Sequence, residues 1–198
     1  MRVAAGFWSA RFHGERLPPA LAATDDAPVP APRIAIEWIS GAARLDIAGR
    51  DAHVGLRNSR PEEAALAARR LARVEFAVYR ARDSERRREP AAWIVAGEGS
   101  TPSARWMERD GDIVARVSNP ALLLPLLHTD VGMTVLPTFA GDAEGGLERL
   151  GDPIDELAHE QWLVAHADDR RLPAARRTID ALVRIAAGAG TLSAAVMR

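Results

Sequence analysis

The sequence predicts an α/β fold with parallel-rich sheets. Short apolar segments of strand length alternate with helical patterns along the whole chain, which is typical of βα units. The chain has 198 residues, a length that suits one domain of ordinary size or two small lobes sharing a core. Apolar residues make up 47% and charged residues 27%, so the chain is able to bury a core and is unlike disordered sequences.

The first unit of this pattern is a strand, a turn and a helix. Residues 2–5 form a short apolar strand, and the turn that follows places Ser9 where it would cap the next helix. Residues 11–23 carry apolar side chains at helical spacing, but Pro18 and Pro19 are expected to bend or restart this helix. Three prolines among small residues then predict a surface loop over residues 25–32.

The middle of the chain continues with further strands. Apolar or alternating patterns predict these strands at residues 33–39, 53–57, 74–79 and 93–96. A short helix is expected after Leu45 and Ile47, and the Ala-rich residues 62–71 are expected to form a short helical or irregular connection.

The last part of the chain continues the alternation of strands and helices. Strands are expected at residues 112–117, 131–137, 147–150 and 161–165. Helices are expected around Trp106 and Met107, over residues 121–128 behind an N-cap supplied by residues 118–120, and over residues 173–187, where apolar side chains share one face.

Charge and composition exclude several classes of function. The net charge is −1 with 26 basic and 27 acidic residues, which argues against a nucleic-acid-binding face on this chain. The absence of cysteine excludes disulfides, thiolate nucleophiles and cysteine metal sites. No run approaches the roughly 18 apolar residues of a membrane span, so we expect a soluble cytoplasmic protein without a membrane partner.

Catalytic motifs are absent from the sequence. There is no GxGxxG, no GxxxxGK[ST], no HExxH and no GxSxG, and the five histidines form no metal-binding pair. We therefore expect a protein that is not an enzyme and that uses no cofactor or metal.

Polar turns follow several predicted strands and indicate a binding cleft. In open α/β sheets, ligands gather beyond the carboxyl ends of the strands, where helix N-termini present free N–H groups. Such turns suit a small polar or anionic molecule, although simple helix caps would have the same pattern. Arg57 ends an apolar strand and is able to fork two hydrogen bonds onto a carboxylate, with a structural ion pair as the alternative. The effector-binding candidates are Ser9, Ser40, Gly41, Arg57, Gly97, Ser100, Thr101, Ser103, Ser118 and Asn119.

The pattern over residues 118–171 resembles the effector-binding domain of LysR-type transcriptional regulators. The resemblance is carried by residues 118–123, 131–139, 147–150 and 160–168, and more loosely by residues 2–5 and 53–61. His53 stands where that family usually has Asp. The family's N-terminal winged helix-turn-helix domain is missing from this chain, so we expect either a trimmed regulator or a stand-alone sensor.

The resemblance implies a fold like that of type 2 periplasmic binding proteins, with two Rossmann-like lobes joined by two crossover strands. The implied lobes are residues 1–80 with 166–198 and residues 81–165, with crossovers near residues 76–80 and 162–166. The effector would lie between the lobes and contact the candidate residues named above. The family's domains also pair as antiparallel homodimers.

The function implied by the resemblance is sensing of a small metabolite, and we expect one that bears a carboxylate. Its binding would control transcription through the DNA-binding domain that is absent from this chain. The alternative is a stand-alone solute-binding protein of the same fold.

Overall fold

The computed structural model describes residues 1–22, 33–40, 45–85, 92–97, 101–109 and 111–188. The strands in this part of the chain are β1 (Arg2–Ala5), β2 (Glu37–Ser40), β3 (Val54–Arg57), β4 (Leu66–Val74), β5 (Phe76–Ala81), β6 (Ala92–Ala96), β7 (Asp112–Val117), β8 (Thr134–Pro137), β9 (Leu147–Leu150) and β10 (His159–His166). The α-helices are α1 (Phe7–Ala22), α2 (Pro102–Met107), α3 (Leu123–His128), α4 (Thr138–Gly141) and α5 (Pro173–Gly188). Short 3-10 helices span Pro120–Leu122, Asp155–Leu157 and Asp169–Arg171. The loop expected over residues 25–32 lies outside the described residues.

The chain divides into two compact units. The first contains Met1–Arg73 and His159–Arg198, and the second contains Val74–Ala158. The chain therefore passes to the second unit between β4 and β5 and returns at the start of β10. The lobe limits expected from the sequence, 1–80 with 166–198 and 81–165, place β5 and most of β10 on the other side of this division and stay a prediction.

The sheet of the first unit has the order β2-β1-β3-β10-β4. β1 is parallel to both β2 and β3, whereas β10 is antiparallel to β3. The parallel pairs expected from the alternation of strands and helices are present, and the sheet is mixed because β10, the strand that returns from the second unit, runs in the opposite direction.

The second unit has the same arrangement of strands. β6 is parallel to β7, and a parallel bridge joins Trp93 to Met133, immediately before β8. β5 is antiparallel to both β8 and β9. The order is therefore β7-β6-β8-β5-β9, in which β5 occupies the position that β10 holds in the first unit.

The two helices of the first unit form its core together with the sheet. α1 and α5 contact each other, and their apolar side chains pack on β1, β3 and β10. The core cluster consists of Val3, Ala5, Leu17, Leu21, Val54, Leu56, Leu163, Ala181 and Leu182. Burial of such side chains, worth about 1.5–3 kcal/mol each, holds α1 and α5 on one face of the sheet.

The core of the second unit forms between its sheet and α2. Its cluster consists of Trp93, Val95, Ala104, Met107, Val135 and Leu157. Beside it, the fully buried ring of Tyr79 lies against Gly141, and its hydroxyl donates a 2.7 Å hydrogen bond to Asp142 Oδ1. Burial and this carboxylate raise the pKa of Tyr79 above its ordinary value.

Several elements have the positions that their sequence patterns predict. β1, β7 and β9 have the expected bounds, and the helix expected over residues 173–187 is α5, which ends one residue later. The cap expected within residues 118–120 is also confirmed, and its residue is Asn119, whose Oδ1 accepts a 3.0 Å hydrogen bond from the backbone N–H of Ala121.

The first helix differs from its prediction in its start and in its continuity. α1 begins at Phe7, so Ser9 lies inside the helix and does not cap it. The helix also continues through Pro18 and Pro19, although each proline removes one intrahelical hydrogen bond. Leu17 and Leu21 flank the prolines and are buried in the core, and this packing offsets the lost bonds.

Two connections differ from their predictions, because hydrogen bonds within a turn or between strands outweigh the helix propensity of their residues. Residues 45–50 form a turn and not a helix: Asp46 Oδ1 accepts a 2.8 Å bond from the N–H of Gly49, and Arg50 has a positive φ of 66°. The Ala-rich segment expected to be helical or irregular contains most of β4, which pairs with β10 at the edge of the sheet.

A buried polar group joins α1 to β10. Gln161 donates a 2.7 Å hydrogen bond from Nε2 to Ser9 Oγ and also bonds the imidazole of His13, which is 1% exposed. The Nδ1 atom of His13 has no hydrogen-bond partner among the described residues. Burial is the main reason that the pKa of His13 is lowered to about 4, against the partial opposing effect of the Gln161 bond.

We expect Gly141→Ala to destabilise the protein by about 2 kcal/mol, because overpacking a core usually costs 1–3 kcal/mol. A Cβ added at Gly141 would lie 2.3 Å from Cζ of the buried Tyr79 ring. Urea unfolding followed by circular dichroism measures the change. Gly145→Ala is the matched control, since nothing lies within 4 Å of its added Cβ, and an equal effect of both substitutions would contradict the packing argument.

We expect stability to fall as the pH drops from 6.5 towards 4. An unfolded histidine binds its proton near pH 6.5, whereas folded His13 stays neutral down to about pH 4, so protonation favours the unfolded chain within this window. The proton that His13 does not bind lowers the free energy of unfolding by about 3 kcal/mol at pH 4. Thermal melts of the wild type and of His13→Gln, with His53→Gln as control, check this: the His13 variant should have a flatter pH dependence, and parallel curves would refute the assignment.

Candidate functional site

The carboxyl ends of β1, β2 and β3 meet at one edge of the first sheet. Because these strands are parallel, Ala5 lies opposite both Ser40 and Leu56, and Arg57 is the next residue of β3. α1 begins directly after β1 at this edge and carries Ser9 in its first turn. The first unit therefore gathers Ser9, Ser40 and Arg57 at the kind of edge where α/β sheets bind ligands.

Ser9 is held in place by a residue that the sequence did not reveal. Gln161 is buried on β10, and its amide donates to Ser9 Oγ. The available signal was a single amide directly before the apolar run of residues 162–165. Because Ser9 Oγ accepts this bond, its hydroxyl hydrogen is the group left to donate to a ligand.

Arg57 has a partner of its own. Its side chain is 13% exposed, its Nη1 donates to Glu63 Oε1 at 3.1 Å, and its Nη2 donates to the carbonyl of Leu45 at 3.4 Å. Hydrogen bonds from the Glu63 backbone N–H and from Arg57 lower the pKa of the Glu63 carboxyl. The structure thus contains the ion pair that was the alternative interpretation, and a ligand carboxylate would have to compete with Glu63 for this guanidinium.

The carboxyl ends of β6 and β7 form a corresponding edge in the second unit. Ala96 lies opposite Val117, and the N–H of Gly97 donates a 2.8 Å bond to the carbonyl of Val117. Gly97 has a φ of 79°, a left-handed conformation that suits glycine and turns the chain away from the strand. Ser118 and Asn119 follow β7 at the same edge, and both are exposed.

Two helix caps use hydroxyl and amide groups at this second edge. Thr101 caps α2, since its Oγ1 accepts a 3.1 Å bond from the N–H of Ala104 and lies 3.2 Å from Ser103 Oγ. Asn119 caps the 3-10 helix that precedes α3. The helix-cap interpretation therefore describes Thr101 and Asn119, while Ser118 is an exposed hydroxyl between a strand and a helix. Gly41 and Ser100 lie outside the described residues.

The chemistry available at these edges is hydrogen-bond donation and cation binding. Serine and threonine hydroxyls, an asparagine amide and the Arg57 guanidinium are suited to polar or anionic ligands. In the part of the chain that the structure describes, no group of three or more His, Asp or Glu side chains is placed to hold a metal ion. None of the helices described there is long and apolar enough to cross a membrane.

Solved structures resemble this chain over most of its length. The regulatory domain of CrgA, a LysR-type transcriptional regulator from Neisseria meningitidis, is 19% identical, with a TM-score of 0.66 and coverage of 93% of this chain and 97% of that chain. The CcmR regulatory domain of Synechocystis PCC6803, solved in complex with 2-PG, is 15% identical, with a TM-score of 0.65 and coverage of 94% and 96%. The effector-binding domain of QuiR, in complex with shikimate, is 11% identical, with a TM-score of 0.64 and coverage of 95% and 97%.

The likeness to these structures establishes the fold of two Rossmann-like units joined by two crossover strands, as in type 2 periplasmic binding proteins. No curated protein matches the chain. The family model described as the LysR substrate binding domain matches residues 11–187. The chain therefore belongs to the family of LysR substrate-binding domains.

Proposed function

We propose that this chain is the effector-sensing domain of a LysR-type transcriptional regulator and binds a small, carboxylate-bearing metabolite between its two units. The observation that carries the proposal is the pair of polar strand edges. In each unit, parallel strands end next to hydroxyl, amide or guanidinium groups, and the chain as a whole belongs to a family named for substrate binding. The effector would contact Ser9, Ser40, Gly41 and Arg57 from one unit and Gly97, Ser100, Thr101, Ser103, Ser118 and Asn119 from the other.

The ligands of related domains support this class of molecule. The QuiR domain was solved with shikimate and the CcmR domain with 2-PG. Shikimate is a hydroxylated carboxylate, and hydroxyl donors with one arginine suit such a molecule. No catalytic step is part of the proposal, and no cofactor enters it.

The proposed mechanism is a shift between two arrangements of the units. An effector that contacts both units favours whichever arrangement lets it bond to both, by as much as its affinity for the two arrangements differs. In a regulator, this shift would move winged helix-turn-helix domains on DNA, with the sensing domains paired as homodimers in the cytoplasm. DNA would thus be contacted through a domain other than this one.

The first test is a search for the effector with matched variants. Differential scanning fluorimetry against a set of hydroxylated and simple carboxylates, with shikimate as the first probe, should show a rise in melting temperature for at least one compound. Calorimetry should then show that Ser118→Ala weakens the binding of that compound about fivefold, the worth of one hydrogen bond. Thr129→Ala is the control and should leave affinity unchanged. The hydroxyl of Thr129 donates to the carbonyl of Leu126 at the end of α3, and Thr129 is not one of the candidate residues.

A small-angle scattering measurement with the same compound tests the mechanism. The radius of gyration should change on binding in the wild type and not in a variant that has lost affinity. A compound that binds without any change in scattering would contradict the proposed shift of the units.

The ion pair of Arg57 provides a second and sharper test. If Arg57 binds the effector's carboxylate, Arg57→Ala should weaken binding at least tenfold while circular dichroism shows an intact fold. Glu63→Gln removes the competing carboxylate, 3.1 Å from Nη1, and should strengthen binding of the same compound. Unchanged affinity in both variants would remove Arg57 from the site and leave its ion pair a structural one.

A further inference from the structure

A groove of about 460 Å³ lies in the first unit, away from the strand edges described above. We call it the arginine groove. Its lining includes Arg69, Arg170, Arg171 and Arg176, with the apolar side chains of Leu163 and Ile179. None of the candidate effector-binding residues lines it.

The groove arises because three elements bring arginines together around small side chains. Arg69 belongs to the edge strand β4, Arg170 and Arg171 to the 3-10 helix before α5, and Arg176 to the first turn of α5. The remaining positions that β4 contributes are alanines, which leave room beside β10 and α5. The result is a concave, cationic surface with an apolar floor.

The acidic residues nearest to these arginines in the chain are already engaged. Asp168 and Asp169 each lie 3.6 Å from the guanidinium of Arg50. Glu160, on the neighbouring strand, lies 2.7 Å from Arg70. These acids therefore neutralise other arginines.

Inside the groove, the positive charge exceeds the negative charge. Asp180 is its acidic lining residue and lies 4.0 Å from Arg176, at the outer limit of an ion pair. Arg69, Arg170 and Arg171 make no ion pair with any residue of the described ranges. Among the described residues, these three guanidinium groups have no carboxylate partner and are available to an added anion.

We propose that the arginine groove is a second ligand site and binds a small organic dianion with an apolar body. Guanidinium forks hold carboxylates and phosphates by paired hydrogen bonds, and the positive end of the 16-residue helix α5 adds to the attraction. The volume lies in the usual range for small-molecule sites, roughly 300–1,000 Å³. The apolar floor selects against bare inorganic ions, because only an organic body removes its surface from water.

The experiment uses the 198-residue chain and phthalate, a benzene ring with two adjacent carboxylates, as the probe. Calorimetry at 50 mM salt should show binding of phthalate that is about tenfold or more tighter than that of benzoate, with no binding of neutral phthalamide. The double variant Arg170→Gln with Arg171→Gln should weaken phthalate binding at least tenfold. Arg69→Gln should weaken it to a lesser degree.

Controls separate the groove from general charge attraction and from the strand-edge site. Arg184→Gln removes the same charge from the same helix outside the groove, and it should leave phthalate affinity unchanged. Ser118→Ala and Arg57→Ala should also leave it unchanged, so failure of the proposed effector site would not affect this result. Amide chemical shifts of Leu163 and Ile179 should move on titration.

Other outcomes would overturn the proposal. Absence of phthalate binding, or equal weakening by Arg184→Gln, would show that the arginines form an ordinary solvated surface. Phthalate binding lost in Arg57→Ala but kept in the double variant would place the ligand at the strand edge. Binding of an acidic peptide without any binding of phthalate would make the groove a protein-docking surface, and affinity that falls with protein concentration would show that a second copy covers it.

Discussion

The constraint on which the rest of this structure depends is the insertion of one antiparallel strand into each sheet by a distant part of the chain. β10 lies between β3 and β4, and β5 lies between β8 and β9. Without β10, the first sheet would lose the strand that fixes the edge of β3 and the residue that bonds Ser9. The polar strand ends of the first unit are therefore positioned by residues more than a hundred positions further along the chain.

Sequence patterns predicted the elements whose local signals agree with their packing. β7, β9 and α5 were predictable because alternation, turn residues and helical spacing point the same way. The continuous α1 was not, since Leu17 and Leu21 hold the helix together across two prolines through contacts with β-strands far away in sequence. β4 was missed for the same reason: alanine favours helices locally, and only pairing with β10 makes that segment a strand.

The residues of the candidate site also fall into those that the sequence pattern predicts and those that depend on tertiary contacts. The strand-end positions of Ser40, Arg57, Gly97 and Ser118 follow from βα topology, which the sequence pattern contains. Gln161 and Glu63 could not be found that way, because their roles are defined by which side chains they meet. The net charge of −1 likewise conceals that some arginines are paired, as Arg57 is, while Arg69, Arg170 and Arg171 of the arginine groove have no ion-pair partner among the described residues.

The late arrival of β10 also matters for synthesis on the ribosome. The described strands of the second unit, β5 to β9, all emerge before His159, whereas the first unit has a gap between β3 and β4 until β10 has left the exit tunnel. Domains that are contiguous in sequence usually fold from the N-terminus onward during translation. Here the second unit is the first to be complete, and the first unit must wait for it with two unsatisfied strand edges, the kind of surface that invites aggregation or chaperone binding.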